Sequence, residues 1–199
     1  MTPAERLSQL IACRTVSADP DPREFARLRG LLAELYPRAH EALVREELPN
    51  GSLLYTWRGA AQERPLLLMA HHDVVPAPTE GWSRDPFGGE LDGGAVHGRG
   101  ALDDKGPLVC LFDAVESLLA EGHVPAHDVL LFTGADEETV GDGAKAAAAL
   151  LAERGVTPWL VSDEGGAIVE PGMLPGTDGT PVAASAWPRR APSTYASRR

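Results

Sequence analysis

Apolar positions recur along this chain at two periods, and the alternation between them sketches the fold. Leu7, Leu10 and Ile11 make a short helical stripe, and Thr2-Pro3-Ala4-Glu5 ahead of it reads as an N-cap, a proline at the first helical position and an acidic first turn. Phe25, Leu28, Leu31, Leu32 and Leu35 predict a second helix from near Pro22 to just before Pro37. Ser52–Trp57 reads as a strand, and Pro65–Ala70 is a short continuous apolar run suited to a buried strand. A Gly- and Pro-rich polar segment follows, then a short strand near Ala95–His97 and a helix from about Lys105 to Glu121. Asp128–Thr133 repeats the buried-strand pattern, Thr139–Arg154 is an Ala-rich helix, and Pro158–Ser162 is a further strand. Strands and helices in this alternation predict an α/β fold whose sheet is covered on its faces.

From Pro181 the pattern stops. The stretch PVAASAWPRRAPSTYASRR has no period and carries four arginines in a chain otherwise dominated by acids. We therefore divide the sequence into 1–180, a unit of α/β pattern, and 181–199, an irregular tail of disordered composition. A change of reading frame within Ser185–Arg199 is one expectation that accounts for the tail, and the codons of the gene test it.

Composition narrows the function. The net charge is -11 and the pI about 4.9, which argues against nucleic acid and anionic membrane surfaces as partners. No apolar run approaches the ~20 residues of a membrane span. The start, MTPAERLSQLI, lacks the basic-then-apolar pattern of a secretory leader, so the expected location is the cytoplasm. Cys13 and Cys110 form no C-x-x-C pair, and both are expected to be small buried thiols.

The chemistry-bearing residues fall where strands end, which in open α/β sheets is where ligands bind. Met69-Ala70-His71-His72-Asp73 closes one strand; its His71 and Asp73 fit a metal-ligating imidazole with a carboxylate partner, though an isolated pair also fits a solvated turn. His72 is expected to point away and to be structural. Gly98-Arg99-Gly100-Ala101-Leu102-Asp103-Asp104 precedes a helix; Asp103 reads either as its N-cap or as a bridge between two cations. Asp136, Glu137 and Glu138 follow a strand, and three adjacent carboxylates repel one another unless a cation sits among them. Asp163 and Glu164 follow another strand and could supply one more oxygen ligand or cap a turn. One imidazole and several carboxylates make a donor set for two divalent ions, with zinc the best match. His97 is expected in the core or behind the ligands, and His40, His123 and His127 at surface or loop positions. No G-x-S-x-G, no H-E-x-x-H and no complete G-x-G-x-x-G occurs, which leaves covalent acyl-enzyme chemistry, thermolysin-type sites and dinucleotide binding without candidates.

Taken in order, MAHHDVVPAP, the GW-RDPFGGEL to VHGRGALDDKGPL stretch, FTGADEE and SDEGGAI make the chain resemble the co-catalytic zinc peptidases that include carboxypeptidase S, aminoacylase and succinyl-diaminopimelate desuccinylase. The resemblance implies the first half of such a catalytic domain, a mixed sheet flanked by helices. The lid and dimerisation domain, and the final histidine ligand beyond it, are not matched. It implies that His71 binds zinc and Asp73 orients it, that Asp103 bridges two ions, and that Glu138 binds the second. Asp163, or alternatively Glu164, would bind the ion shared with His71. Glu137 would be the general base that takes a proton from water and passes it to the leaving amine. Cobalt or manganese could replace zinc. The implied substrates are small peptides or N-acyl amino acids cleaved at the amide next to a free carboxylate, and a homodimer is expected only with the lid domain. The other expectation is a fragment that binds metal without turnover, or one that acts only with a partner chain.

Overall fold

The computed structural model describes residues 1–78 and 80–164, together with the backbone of 167–169 and 182–184. It contains two compact units, Met1–Asp163 and Glu164–Arg199.

The first unit opens with α1 (Pro3–Ile11), α2 (Pro22–Leu35) and α3 (Pro37–Ala42), each with proline in its first turn. Helix α1 carries a complete capping box: the Thr2 hydroxyl accepts from the Glu5 N–H, and the Glu5 carboxylate accepts from the Thr2 N–H. Asp21 caps α2. Helix α3 has no cap of its own, and Glu116 supplies one from another helix. Its buried carboxylate accepts from the Arg38 N–H at 3.2 Å and the Ala39 N–H at 2.9 Å.

Strands β1 (Val44–Glu47), β2 (Leu53–Trp57) and β3 (Ala61–His71) follow. Next come a small hairpin of β4 (Glu90–Asp92) and β5 (Ala95–His97), then α4 (Lys105–Ala120), β6 (His127–Gly134), α5 (Asp142–Glu153) and β7 (Leu160–Ser162). The main sheet has the order β1-β2-β6-β3-β7. β1, β2 and β6 pair antiparallel, whereas β3 pairs parallel with both β6 and β7. The α/β expectation holds, with a mixed sheet. The second unit contributes one antiparallel hairpin, β8 (Ala167–Val169) with β9 (Val182–Ala184), so part of the stretch read as an aperiodic tail is strand. The rest of 185–199 lies outside the described residues.

Period-two alternation builds one core on each face of the sheet. Leu53, Tyr55 and Trp57 of β2, with Leu131 of β6, pack with Leu10, Leu28, Leu32, Leu108 and Phe112 of α1, α2 and α4. Leu54, Leu67, Leu130 and Phe132 point the other way, onto Ala147 and Leu151 of α5. Helix α4 buries Leu108, Val109, Phe112, Val115 and Glu116, one face at helical spacing, and Cys110 lies off that stripe. This corrects one expectation: Cys13 is buried, but Cys110 is exposed.

His40 is also corrected. It is half-buried rather than superficial, stacked on Phe112, with Nδ1 against the Tyr36 carbonyl and Nε2 3.0 Å from the Tyr55 hydroxyl. Among the described residues no helix is long and apolar enough to cross a membrane.

Two outcomes follow from this packing. Glu116→Ala leaves the first N–H groups of α3 without a partner in a buried setting, and should cost about 1–3 kcal/mol in urea unfolding. For His40, burial lowers the pKa from its ordinary 6.5. The unfolded chain therefore takes up the proton more readily, and the contribution of His40, fully present above pH 6.5, is lost as pH falls below it. His40→Gln should flatten the fall of the urea midpoint below pH 6.5 relative to the unaltered chain.

Candidate metal centre

Strand β3 delivers His71 to the carboxyl end of the sheet, level with Gly134 at the end of β6. The strand stops there, and His72 and Asp73 turn under the ends of the neighbouring segments. Asp73 is fully buried. Its Oδ1 lies 3.2 Å from His71 Nδ1, and its backbone carbonyl lies 3.0 Å from the same nitrogen. The same carboxylate accepts from the Glu137 N–H on Oδ1 at 3.2 Å and from the Glu138 N–H on Oδ2 at 3.1 Å. Burial alone would raise the Asp73 carboxyl; the hydrogen bonds from His71 and from the Glu138 N–H outweigh it and hold the group below its ordinary value. With Nδ1 engaged, Nε2 is the nitrogen left to ligate, the usual arrangement of a carboxylate-oriented metal histidine.

Nε2 faces the acids. Asp103 Oδ1 is 2.9 Å away and Glu137 Oε2 3.8 Å. Ligand atoms of His71, Asp103 and Glu138 all lie within 4.8 Å of one another. Desolvation raises the Glu138 carboxyl above its ordinary value, and the charges of Asp103, Asp73 and Glu137 add to it. Crowded like charge around an oriented imidazole is the donor set that a divalent cation such as zinc relieves, so the residues fit a metal. Asp163, beyond β7, lines a cavity of about 150 Å³ with His71 and Glu137. Glu164 is the first residue of the second unit.

The three adjacent acids after β6 divide their work. Asp136 turns away from the cluster: its carboxylate accepts from the Asp142 and Gly143 N–H groups, capping α5, and from Asn50 Nδ2. A Cβ on Gly143 would sit 2.1 Å from Ser52 Oγ, so glycine is what permits that close approach. Ser52 Oγ in turn accepts from the Ala135 N–H. The loop is thereby pinned to the β1–β2 turn, which leaves Glu137 and Glu138 facing the site.

The N-terminus of α4 departs from expectation. Asp104, not Asp103, is the N-cap residue, and its side chain makes no cap hydrogen bond. Instead its buried Oδ2 accepts from the His71 N–H at 2.9 Å, while Asp103 is free to reach the imidazole. The peptide between them is cis. His72 is structural as expected, buried with Nδ1 2.8 Å from Thr133 Oγ1 and its ring edge-on to Phe25. His97 is half-buried on β5, its Nε2 directed at the Asp92 carbonyl. Pattern reading missed Lys105, which is fully buried, with a pKa pushed down to about 8 by desolvation. One signal was available: a lysine in the first turn of a helix opposes the macrodipole, so its charge serves something outside that helix.

Comparison with known proteins places the chain in a family. The sequence is 45% identical over 129 residues to the human N-fatty-acyl-amino acid synthase/hydrolase PM20D1, a match covering 64% of this chain and 26% of that protein. It is 36% identical over 184 residues to carboxypeptidase S of Saccharomyces cerevisiae, covering 83% of this chain and 32% of the relative. The chain thus spans between about a quarter and a third of the length of these curated relatives. In fold it resembles human carnosine dipeptidase 1, with TM-score 0.66 and 22% identity over 84% of this chain and 39% of that one. It likewise resembles the M20 family metallo-carboxypeptidase Sso-CP2 of Sulfolobus solfataricus, with TM-score 0.67 and 22% identity over 86% of this chain and 38% of that one. Residues 67–192, which contain every residue of the cluster, match the model of peptidase family M20/M25/M40, and the chain belongs to that family.

Proposed function

We propose that this chain carries the metal-binding and proton-transfer groups of a two-zinc hydrolase acting on amide bonds beside a free carboxylate, in small peptides or N-acyl amino acids. The single observation that carries the reading is the shared hold of Asp73, which fixes His71 and the Glu137–Glu138 backbone in one buried contact. The names of the relatives, a carboxypeptidase and an N-fatty-acyl-amino acid hydrolase, support the bond class.

In this reading His71, Asp103, Glu138 and Asp163 would hold the metal, with Glu164 as the alternative to Asp163. A zinc ion held there would supply Lewis acidity toward the amide carbonyl and toward water. Asp73 keeps the imidazole in the tautomer that leaves Nε2 unprotonated for ligation. Glu137, half-exposed at the mouth of the cavity and next to the cluster, accepts a proton from the attacking water and returns it to the leaving amine. Glu138, one residue on, holds metal rather than a proton. The exposure of Glu137 beside the half-buried Glu138, with both backbone N–H groups held on Asp73, supports this division.

A second reading, metal binding without turnover, is favoured by one observation. Among the described residues each candidate cluster contains a single imidazole, His71. The two readings separate in one assay of the purified chain with zinc against N-acyl amino acids and dipeptides. The first predicts hydrolysis, and a loss of about 10²–10⁴-fold in kcat for Glu137→Ala with zinc affinity retained. Zinc bound with no hydrolysis of any member of the panel would establish the second reading, and absence of zinc binding would contradict both.

A further inference from the structure

Lys105 follows the two aspartates of the site, and these three consecutive residues tie two segments together. Asp103 reaches the His71 imidazole, and Asp104 the His71 N–H. Lys105 crosses the core to the end of α1, where Nζ donates to the Leu10 carbonyl at 3.0 Å and the Cys13 carbonyl at 2.7 Å. These are carbonyls at a helix C-terminus, where a cation is favoured; each also accepts from a backbone N–H, Leu10 from Cys13 at 3.1 Å and Cys13 from Thr15 at 3.0 Å. The stem passes over Gly100, whose φ is +86° and where a Cβ would meet Lys105 Cδ at 3.2 Å and Val74 Cγ1 at 2.9 Å.

The chain leaving α1 returns to the site from the other side. Thr15 Oγ1 donates to the His72 carbonyl, the Val74 N–H donates to the Thr15 carbonyl at 2.9 Å, and the Ser17 N–H donates to the Val74 carbonyl at 3.3 Å. Val16 and Val74 form a parallel bridge. A closed circuit results: end of α1, strap Thr15–Ser17, loop His71–Val74, loop Asp103–Lys105, and back to α1 through one side chain. The polar contacts of the other links run along backbone or short side chains, and the Lys105 link is the only one of these made by a long cation.

We infer that Lys105 is a positioning residue of the proposed metal centre, holding Asp103 and Asp104 against His71 by tying their loop to the C-terminus of α1. The inference rests on the proposed metal-dependent function and adds to it a residue that touches neither metal nor substrate. Its partners are two backbone carbonyls, so its effect on the site passes through placement rather than through charge at the reacting atoms.

The test uses zinc affinity by competition with a chelating dye, the visible bands of the chain loaded with cobalt, and the urea midpoint. These are measured on the unaltered chain, Lys105→Met, Lys105→Arg and Phe112→Leu, the last a core change on the same helix as a stability control. Lys105→Met should weaken zinc about 10–100-fold, in the range seen when groups behind metal ligands are removed, and shift the cobalt bands. Phe112→Leu should lower the urea midpoint and leave affinity and bands unchanged. Lys105→Arg keeps a cation but not the ammonium geometry, and should fall between Lys105→Met and the unaltered chain. If Lys105→Met does not fold, the arginine variant decides: unaltered affinity and bands would overturn the inference, and a partial loss would support it. Lys105→Met binding zinc as the unaltered chain does, or losing no more than Phe112→Leu, also overturns it. Failure of the unaltered chain to bind zinc would instead remove the proposed function, and this inference with it.

Discussion

A single buried carboxylate, Asp73, is the constraint on which the site depends. It engages His71 Nδ1 and two consecutive backbone N–H groups on the loop after β6, so imidazole and acids share one anchor. A fully buried carboxylate without such donors would cost several kcal/mol, and the hydrogen bonds that offset this cost are the ones that orient the site. Stability and function are coupled here by construction. The fold reaches its lowest free energy with the side chains of the candidate site already aimed, and preorganisation is what makes a site strong at little further cost on binding.

Sheet topology makes the coupling feasible. The parallel pairing of β3 with β6 and β7 brings three carboxyl ends to one edge, so His71, the Asp136–Glu138 loop and Asp163 arrive together without long excursions of chain. The fourth group, Asp103, comes from the start of α4 packed on one face. The remaining polar groups secure those loops. Asp136 caps α5, Asp104 accepts from the His71 backbone, and Glu116 caps α3. In each case a carboxylate accepts backbone N–H groups, the economical way to hold an irregular segment at the end of a sheet.

Much of this was legible in the sequence because it rests on local rules. The capping box of α1, the apolar runs of β3 and β6 and the helical stripe of α2 declare themselves through spacing. So does the placement of acids after strands. Roles that depend on direction were not legible. Three adjacent acids after β6 look alike on paper, and only the approach of Asn50 and the glycine at 143 shows that Asp136 faces the helix. The N-cap of α4 falls on Asp104 rather than Asp103 because it is set by where the helix begins, a boundary that pattern fixes only loosely. Cys110 and His40 depend on which stripe of a helix meets the core, and Lys105 on a partner ninety-odd residues away.

The central claim is that Asp73 organises a metal centre rather than merely closing a turn. Equilibrium dialysis of zinc against the unaltered chain and Asp73→Asn tests it directly. The asparagine keeps size and shape but replaces one acceptor oxygen with a donor, so it cannot hold the imidazole and both N–H groups together. The account predicts that the folded variant binds zinc about 10–100-fold more weakly than the unaltered chain. A folded Asp73→Asn chain with unaltered zinc affinity would contradict it.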